Sequence, residues 1–349
     1  MEKIKIGNKW AGDEEPCFII AEAGVNHNGK LELAKKLVDA AGNAGADAVK
    51  FQTYKAEKLV TKDADATMYQ VKNMREKKSQ LDMLDNLALE YKEFIVLKKY
   101  CDRKGILFLS TPHSFDAIDF LEELVPVYKF GSGDLTNIPS LKYAAKKEKP
   151  MILGTGMSTL EEVRHAVDAI KSEGNDQIVV LHCTTNYPCP LEEVNLQAMK
   201  IMKNELKCLV GYSDHTLGNI VPIAAVAMGA CMIEKHFTLN RELPGPDHRA
   251  SLEPNELKEM IQVIRETEKA MGNGIKKPTK SEDQIKKSIR KSIVAKVNIP
   301  KGTIITREMM EIKRPGMGIS PDQIDKIIGG KARDNIKKDE LIRWDKIEM

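Results

Sequence analysis

His215 and His236 have the plainest capacity for chemistry in this sequence, because each stands at the end of a short apolar run, CLVGYSDH (208–215) and CMIEKHFT (231–238). If the two runs are neighbouring parallel strands, both imidazoles reach one rim. Two neutral imidazoles facing a cavity suit a divalent transition metal, with positions left for water and a substrate oxygen. The same pair could equally serve as hydrogen-bonding or acid/base groups. His182, inside IVVLHCTTNY (178–187), and His248, after the Gly245-Pro246-Asp247 turn, read as local structural histidines.

Lys50 and Lys129 occupy comparable run ends, in ADAVKFQT (46–53) and VYKFGSGD (127–134). A lysine directed into an interior is costly unless it meets an anion, so two of them imply an anionic substrate. Either one taken singly also reads as a surface lysine opening a loop. Ser132, between Gly131 and Gly133, adds backbone N–H groups that an oxyanion can approach closely. No G-x-x-x-x-G-K-[ST] loop occurs, so nucleotide phosphate is not implied, and GTGMST (154–159) only half resembles a dinucleotide loop. Glu22 and Asp134 are the carboxylates best placed for proton transfer, and pairing with the lysines is compatible with that role. Gln52, Thr111, Thr185, Tyr187 and Ser213 read as orienting groups.

These residues share one placement. Eight short apolar runs, starting with FIIAEAG (18–24) and including ILFLSTP (106–112) and MILGTG (151–156), each stop at polar residues. Between them LELAKKLVDAAGNAG (31–45), LEYKEFIVLKKYCDRKG (89–105) and STLEEVRHAVDAIKSEG (158–174) have helical apolar spacing and terminal glycines. Thr159 with Glu162 forms a capping box at one such start. Continuously apolar strands alternating with amphipathic helices predict an α/β fold with a parallel sheet. Eight units with polar C-terminal strand ends favour a (β/α)8 TIM barrel over an open doubly wound sheet, for which the Gly-rich fingerprint is missing.

The chain has 349 residues, more than the ~250 a barrel commonly takes. We expect the catalytic barrel over 1–274, a polar, lysine-rich linker over 275–287 and a small β-rich domain over 288–349, with a turn at Pro300-Lys301-Gly302. A unit that small buries little surface, so docking on a larger partner is expected. Net charge is +3, from 54 basic and 51 acidic residues, which gives no electrostatic case for nucleic acid or membrane. Six cysteines stand singly without a C-x-x-C pair and read as reduced, buried thiols. The N-terminal stretch has no apolar h-region and no run approaches transmembrane length, so a cytoplasmic protein is expected.

AEAGVNHNG (21–29), VKFQTYKAEKL (49–59), LSTP (109–112), KFGSGDLTN (129–137), GYSDHTLG (211–218), IEKHFTL (233–239), GPDHRASLEP (245–254) and KRPGMGIS (313–320) follow one another along the chain. In these segments the sequence resembles the sialic acid synthases, within the broader nonulosonate synthase family. The resemblance runs from about residue 16 to the C-terminus. It implies a TIM barrel followed by an antifreeze-like (SAF, β-clip) domain, and a domain-swapped homodimer in which one subunit's small domain covers the other's active site. It implies condensation of phosphoenolpyruvate with an open-chain N-acylmannosamine-type aldehyde, releasing phosphate by C–O cleavage with Mn²⁺ or Mg²⁺. On that footing His215 and His236 are metal ligands, and Lys50, Thr111, Lys129, Ser132, Thr185 and Ser213 hold phosphoenolpyruvate. Gln52, Asp134, Tyr187 and Asp247 face the sugar, and Arg314 reaches the N-acyl group across the dimer. Glu22 is expected to activate water and Asp134 to manage the aldehyde proton, roles that could be exchanged.

Three positions depart from the family's pattern. Asp134 is one methylene shorter than the Glu of some relatives, Gly154 stands where several have a phosphate-contacting Ser, and Thr185 replaces an Asn. The first expectation for the sugar is N-acetylmannosamine, giving N-acetylneuraminate. The alternative is a 2,4-diacetamido-2,4,6-trideoxymannose, giving N,N'-diacetyllegionaminate. The choice is expected to lie in 55–88, where Tyr69 or Gln70 could face the sugar. A Schiff-base aldolase would also use an inward lysine but needs no metal. A non-catalytic carbohydrate-binding role would leave the paired histidines and lysines without a function.

Overall fold

A computed structural model describes residues 3–65 and 79–349. Tyr69 and Gln70 lie outside the described residues. The chain divides into two compact units, residues 1–272 and 273–349.

The first unit opens with a hairpin, β1 (Lys3–Ile6) and β2 (Lys9–Gly12), joined by a two-residue turn at Gly7 and Asn8. Eight parallel strands follow: β3 (Phe18–Gly24), β4 (Ala48–Thr53), β5 (Leu107–Pro112), β6 (Tyr128–Phe130), β7 (Met151–Gly154), β8 (Ile178–His182), β9 (Leu209–Asp214) and β10 (Met232–His236). Their order is β5-β4-β3-β10-β9-β8-β7-β6, and the pairing of β10 with β3 nearly closes the sheet into the expected barrel. The one seam without ladder pairing among the described residues lies between β5 and β6.

Strands buried on both faces explain the continuous apolar runs. Outward side chains such as Ile19, Val49, Phe51 and Val180 pack against the helices in one core, while Phe18, Ile20, Leu109, Ile152 and Val179 fill the barrel interior in another. The hairpin joins the interior core through Ile4, Ile6 and Ala11 and so plugs one end of the barrel. The crossover helices form where their signals lie. Leu31–Ala44 ends at Gly45 and Tyr91–Lys104 at Gly105, both left-handed, and Leu160–Lys171 begins with the Thr159/Glu162 capping box.

The second unit starts with residues read as linker, which hold most of a helix, Lys280–Ile289, capped by Thr279 and Glu282 and burying no residue. Beyond it β11 (Ser292–Ala295) pairs antiparallel with β12 (Met310–Lys313), and β13 (Lys331–Ala332) with β14 (Ile347–Glu348). Ile293, Ile305, Met310, Ile319, Ile327, Ile342 and Ile347 make its core. Thr303 N–H donates to the Pro300 carbonyl at 3.2 Å, closing the expected turn.

Candidate active site

Strand register assembles the polar residues. His236 pairs with Glu22 across β10 and β3, Glu22 with Lys50 across β3 and β4, Gln52 with Thr111 across β4 and β5, and Glu234 with Ser213 across β10 and β9. Because strand side chains alternate, Glu234 and His236 share the inner face while Lys235 faces out. A bulge between Glu22 and Gly24 ends the β3 register. Gly24 has φ +52°, and a Cβ there would press His236, Gln52 and Glu22 at 3.3–3.4 Å. Glycine at 24 therefore lets three functional groups converge.

At the C-terminal mouth these strands enclose a cavity of about 130 Å³. Lys50 and Lys129, only 2% and 5% exposed, are buried cations, and the site supplies their counter-charges. Lys50 Nζ lies 2.7 Å from Glu22 Oε2 and donates to Thr111 Oγ1 at 3.1 Å. Lys129 Nζ lies 3.0 Å from Glu234 Oε1, which also accepts from Ser213 Oγ at 3.1 Å, and Lys50 stands 3.7 Å from Glu234 Oε2. Gln52 Nε2 donates to Glu22 Oε1 at 3.2 Å. Burial pushes the Glu234 carboxyl up, but Lys129 and Lys50 outweigh that and hold it below its ordinary range. Burial pushes Glu22 above its ordinary range; Lys50 opposes the shift and Glu234 adds to it. The two carboxyls thus differ, one a firm anion and one able to take a proton, as acid/base chemistry requires. Glu234 occupies the partners that an incoming phosphate or carboxylate would use.

His215 and His236 face each other with ring centroids 5.7 Å apart, and the Tyr187 ring packs 4.1 Å from His215 and edge-on to His236 at 5.6 Å. Burial pushes both imidazoles toward the neutral form. His215 Nδ1 donates to the Thr184 carbonyl at 2.7 Å, which leaves Nε2 as the lone-pair nitrogen. His236 Nδ1 is buried without a hydrogen-bond partner. No third histidine, cysteine or carboxylate completes a metal-holding group among the described residues. Two imidazoles with open positions fit a divalent ion that mixes nitrogen and oxygen donors, and of the two expected ions they fit Mn²⁺ better than oxygen-seeking Mg²⁺.

Ser132 and Thr185 also line the cavity, with the Gly156 backbone packed against them. Gly156 N–H donates to Ser132 Oγ at 2.9 Å and to Cys183 Sγ at 3.1 Å, and Thr185 Oγ1 is buried without a partner. A Cβ on Gly156 would come within 2.1 Å of Thr185 Oγ1 and 2.9 Å of Ser132 Oγ. A Cβ on Gly154 would crowd Ser132 N at 3.1 Å, so this chain has Ser132 where a larger residue at 154 would compete for space.

Glu22, Lys50, Gln52, Thr111, Lys129, Ser132, Thr185, Tyr187, Ser213, His215 and His236 all line the one cavity. Asp134 stands behind the lining, with Oδ2 at 3.2 Å from Nδ1 of His113, which itself lines the cavity. Asp247 is buried close enough to Glu22 to feel its charge; burial, then Glu22, lifts its pKa to about 7. Arg314 belongs to the second unit. His182 and His248 are structural, bonding the Val194 carbonyl at 2.8 Å and Thr238 Oγ1 at 2.7 Å. Sequence marks Glu234, with His236, as a polar end of the run 231–238 but assigns it no role, and it does not mark His113 at all. Glu234 was available from its spacing of two from His236, whereas nothing local in Pro112-His113-Ser114 distinguishes a site histidine.

Paired imidazoles, two buried lysines and two unlike carboxylates at the C-terminal mouth of a (β/α)8 barrel have the make-up of an enzyme's active site. The NeuB family profile matches residues 37–276 and the SAF domain profile residues 290–348. The chain is 47% identical to an N,N'-diacetyllegionaminic acid synthase of Legionella pneumophila over 98% of both chains. It is 49% identical to a synthase of the same name from Campylobacter jejuni, over 93% of this chain and 98% of that one. A crystal structure of N-acetylneuraminic acid synthetase from Leptospira borgpetersenii in complex with citrate superposes with a TM-score of 0.74 at 35% identity, over 81% of this chain and 95% of that one. The chain belongs to the NeuB family.

Proposed function

We propose that this enzyme condenses phosphoenolpyruvate with the open-chain aldehyde of 2,4-diacetamido-2,4,6-trideoxymannose, giving N,N'-diacetyllegionaminate and inorganic phosphate. Membership of a family of phosphoenolpyruvate-condensing transferases supports the reaction class. The observation that carries the sugar is full-length similarity to two diacetyllegionaminic acid synthases. N-Acetylmannosamine, the first expectation from sequence, yields to the diacetamido sugar on that comparison.

In this reading the phosphate and carboxylate of phosphoenolpyruvate take over from Glu234 the donors on Lys50, Lys129 and Ser213, with Thr111, Ser132 and Thr185 completing the cradle. Gln52, Tyr187 and Asp247 orient the sugar. C3 of phosphoenolpyruvate attacks the aldehyde carbon, and the aldehyde oxygen takes a proton under the control of Asp134. Glu22, whose carboxyl is the one able to accept a proton, removes one from the water that adds at C2. The tetrahedral intermediate then collapses with C–O cleavage and phosphate leaves. A divalent ion held by His215 and His236, Mn²⁺ before Mg²⁺, supplies Lewis-acid polarisation of the aldehyde when bound.

We further infer a cytoplasmic homodimer in which the partner's small domain brings Arg314 to the mouth. Its support is a set of exposed apolar residues, Phe115, Met157, Leu191, Leu217 and Ile220, in the loops and helix starts that follow β5, β7, β8 and β9. Six buried free cysteines agree with a reducing compartment. No described helix is long and apolar enough to cross a membrane. The test is phosphate release from phosphoenolpyruvate and Mn²⁺ with either sugar. The diacetamido sugar should turn over with the higher kcat/KM, chelator should abolish turnover, and Glu22→Gln should still bind phosphoenolpyruvate without releasing phosphate. Preference for N-acetylmannosamine would overturn the substrate, and full turnover in chelator would overturn the metal.

A further inference from the structure

The second unit gathers charge that the proposed reaction leaves without a task. Between the end of the helix Lys280–Ile289 and the segment after β12 lies a hollow of about 310 Å³, with Lys286, Lys287, Arg290 and Lys291 on one wall. Asp283 is the one carboxylate on its lining, so the hollow carries a formal +3, as much as all 349 residues together. None of the four cations has an ion-pair partner among the described residues. Basic residues in a helix's last turn complement its macrodipole, which accounts for Lys286 and Lys287. It does not account for Arg290 and Lys291, which stand past the helix end and line the same hollow. The facing wall, Gly316, Gly318 and Ser320, is mostly backbone. Gly316 N–H donates to the Lys287 carbonyl at 2.9 Å, Gly318 N–H to Ser292 Oγ at 2.9 Å, and Ser292 Oγ to the Pro315 carbonyl at 2.8 Å. A Cβ on Gly316 would meet Arg290 Cβ at 2.6 Å, so glycine lets this segment lie close against the cations.

We propose that this hollow is a second anion site, taking a compact phosphorylated anion, and that an anion held there steadies the segment carrying Arg314. The second half rests on the reading in which Arg314 serves the sugar. A phosphate group suits the lining, because a guanidinium offers it two parallel donors and lysines supply mobile point charges. No aromatic side chain lines the hollow to stack a nucleobase, which leaves small anions of the phosphoenolpyruvate or inorganic phosphate kind. Like charges crowded around one hollow repel, and an anion among them replaces that repulsion with attraction. The consequence reaches Arg314 through the backbone. Its next two residues are anchored, Pro315 by its carbonyl to Ser292 and Gly316 by its N–H to Lys287. Drawing Lys287 and Arg290 together around an anion therefore fixes the chain immediately beside Arg314.

Met317, 57% exposed between the two glycines, is a reporter on the facing wall itself. In the full chain labelled with [methyl-¹³C]methionine, the signal lost in Met317→Leu identifies it. That signal should move saturably with inorganic phosphate and with phosphoenolpyruvate, and stay put in chloride at matched ionic strength. Lys287→Ser with Arg290→Ser, both side chains being exposed, should weaken each binding curve by about tenfold or more, the usual scale for losing hydrogen bonds to charged groups. The shift should persist in Lys129→Gln and in Ser213→Ala, changes confined to the barrel cavity. Tighter binding of phosphoenolpyruvate than of phosphate would make the substrate the ligand, and the reverse order would make it the released product. In steady-state phosphate release the double variant should raise KM for the sugar several-fold and leave KM for phosphoenolpyruvate unchanged. An unmoved Met317 signal, an equal response to chloride, a full response in the double variant or a response lost with the barrel variants would overturn the site. Wild-type KM for the sugar in a double variant that has lost the response would overturn the hold on Arg314. Absence of phosphate release by the wild-type enzyme with either sugar would instead overturn the functional reading, and the Met317 titration would then decide the site alone.

Discussion

Lys235 and Asp214 are an ion pair with no exposure on either side chain, outside the barrel lumen on the strands that deliver both histidines. Lys235 Nζ donates to Asp214 Oδ2 and to the Thr216 carbonyl, while Asp214 also accepts from Thr216 N–H at 3.1 Å and Thr216 Oγ1 at 3.0 Å. This network brackets His215, which lies between its members in sequence. Lys235→Met leaves a buried carboxylate with two neutral donors and a carbonyl with none. Breaking a buried pair from one side costs about 3–5 kcal/mol, of which the stranded carbonyl accounts for about 1–3. Urea unfolding of the full chain, following the barrel transition, measures it. Asp214→Leu with Lys235→Met should cost far less than the sum of the single changes, because no charge is left behind. A single-variant loss below about 1 kcal/mol, or additivity in the double variant, would refute the reasoning.

Asp247, lifted from 3.8 to about 7, keeps a proton in the folded state that the unfolded chain loses, so stability falls as pH rises from about 4 to 7. Over that window Asp247→Asn should gain on wild type by up to about 4 kcal/mol, read by chemical unfolding at successive pH values. Gly156→Ala should displace Thr185, lower stability by about 1–3 kcal/mol and raise KM for phosphoenolpyruvate; an unchanged Tm and KM would contradict the cradle. Glu234→Gln leaves Lys50 and Lys129 facing Glu22 alone, so its Tm should drop and then rise more steeply with inorganic phosphate than the wild-type Tm does.

Much of the barrel was legible because a parallel strand buried on both faces leaves an uninterrupted apolar run, and a polar residue ending that run marks the mouth. Eleven named residues meet in one cavity for that reason. The apolar runs, however, extend past the strands they mark. Residues 183–187 and 131–134 continue the pattern of β8 and β6 but form the loop and turn that carry Thr185, Tyr187 and Asp134. The hairpin at 3–12 leaves only a faint trace in the sequence: Ile4 and Ile6 alternate with lysines before Gly7-Asn8, but four-residue strands carry a weak period. Glu234 looks in sequence like any strand-end acid; its importance comes from meeting Lys129, Ser213 and Lys50, contacts between distant segments that no local pattern encodes. His113 is silent in sequence for the same reason, since its partner Asp134 lies on another strand's turn. The helix Lys280–Ile289 reads as connector because its residues are almost all polar, and its lack of any buried side chain is the same fact seen in three dimensions.

The hairpin that packs Ile4 and Ile6 into the barrel floor makes the lumen a vessel with a single opening. Whatever enters must leave the same way, and depth then sets the traffic. In the proposed reaction the phosphoenolpyruvate-binding Lys50, Thr111, Lys129 and Ser213 are buried and Ser132 and Thr185 half-buried, while on the sugar side Gln52, Asp134 and Tyr187 are half-buried and Asp247 buried. In the proposed reaction, a sugar seated first would block the way for the phosphoenolpyruvate that has to lie beneath it. The shape of the chamber therefore imposes a queue, the small anion first and the sugar second, so product-inhibition patterns should be those of ordered rather than random binding.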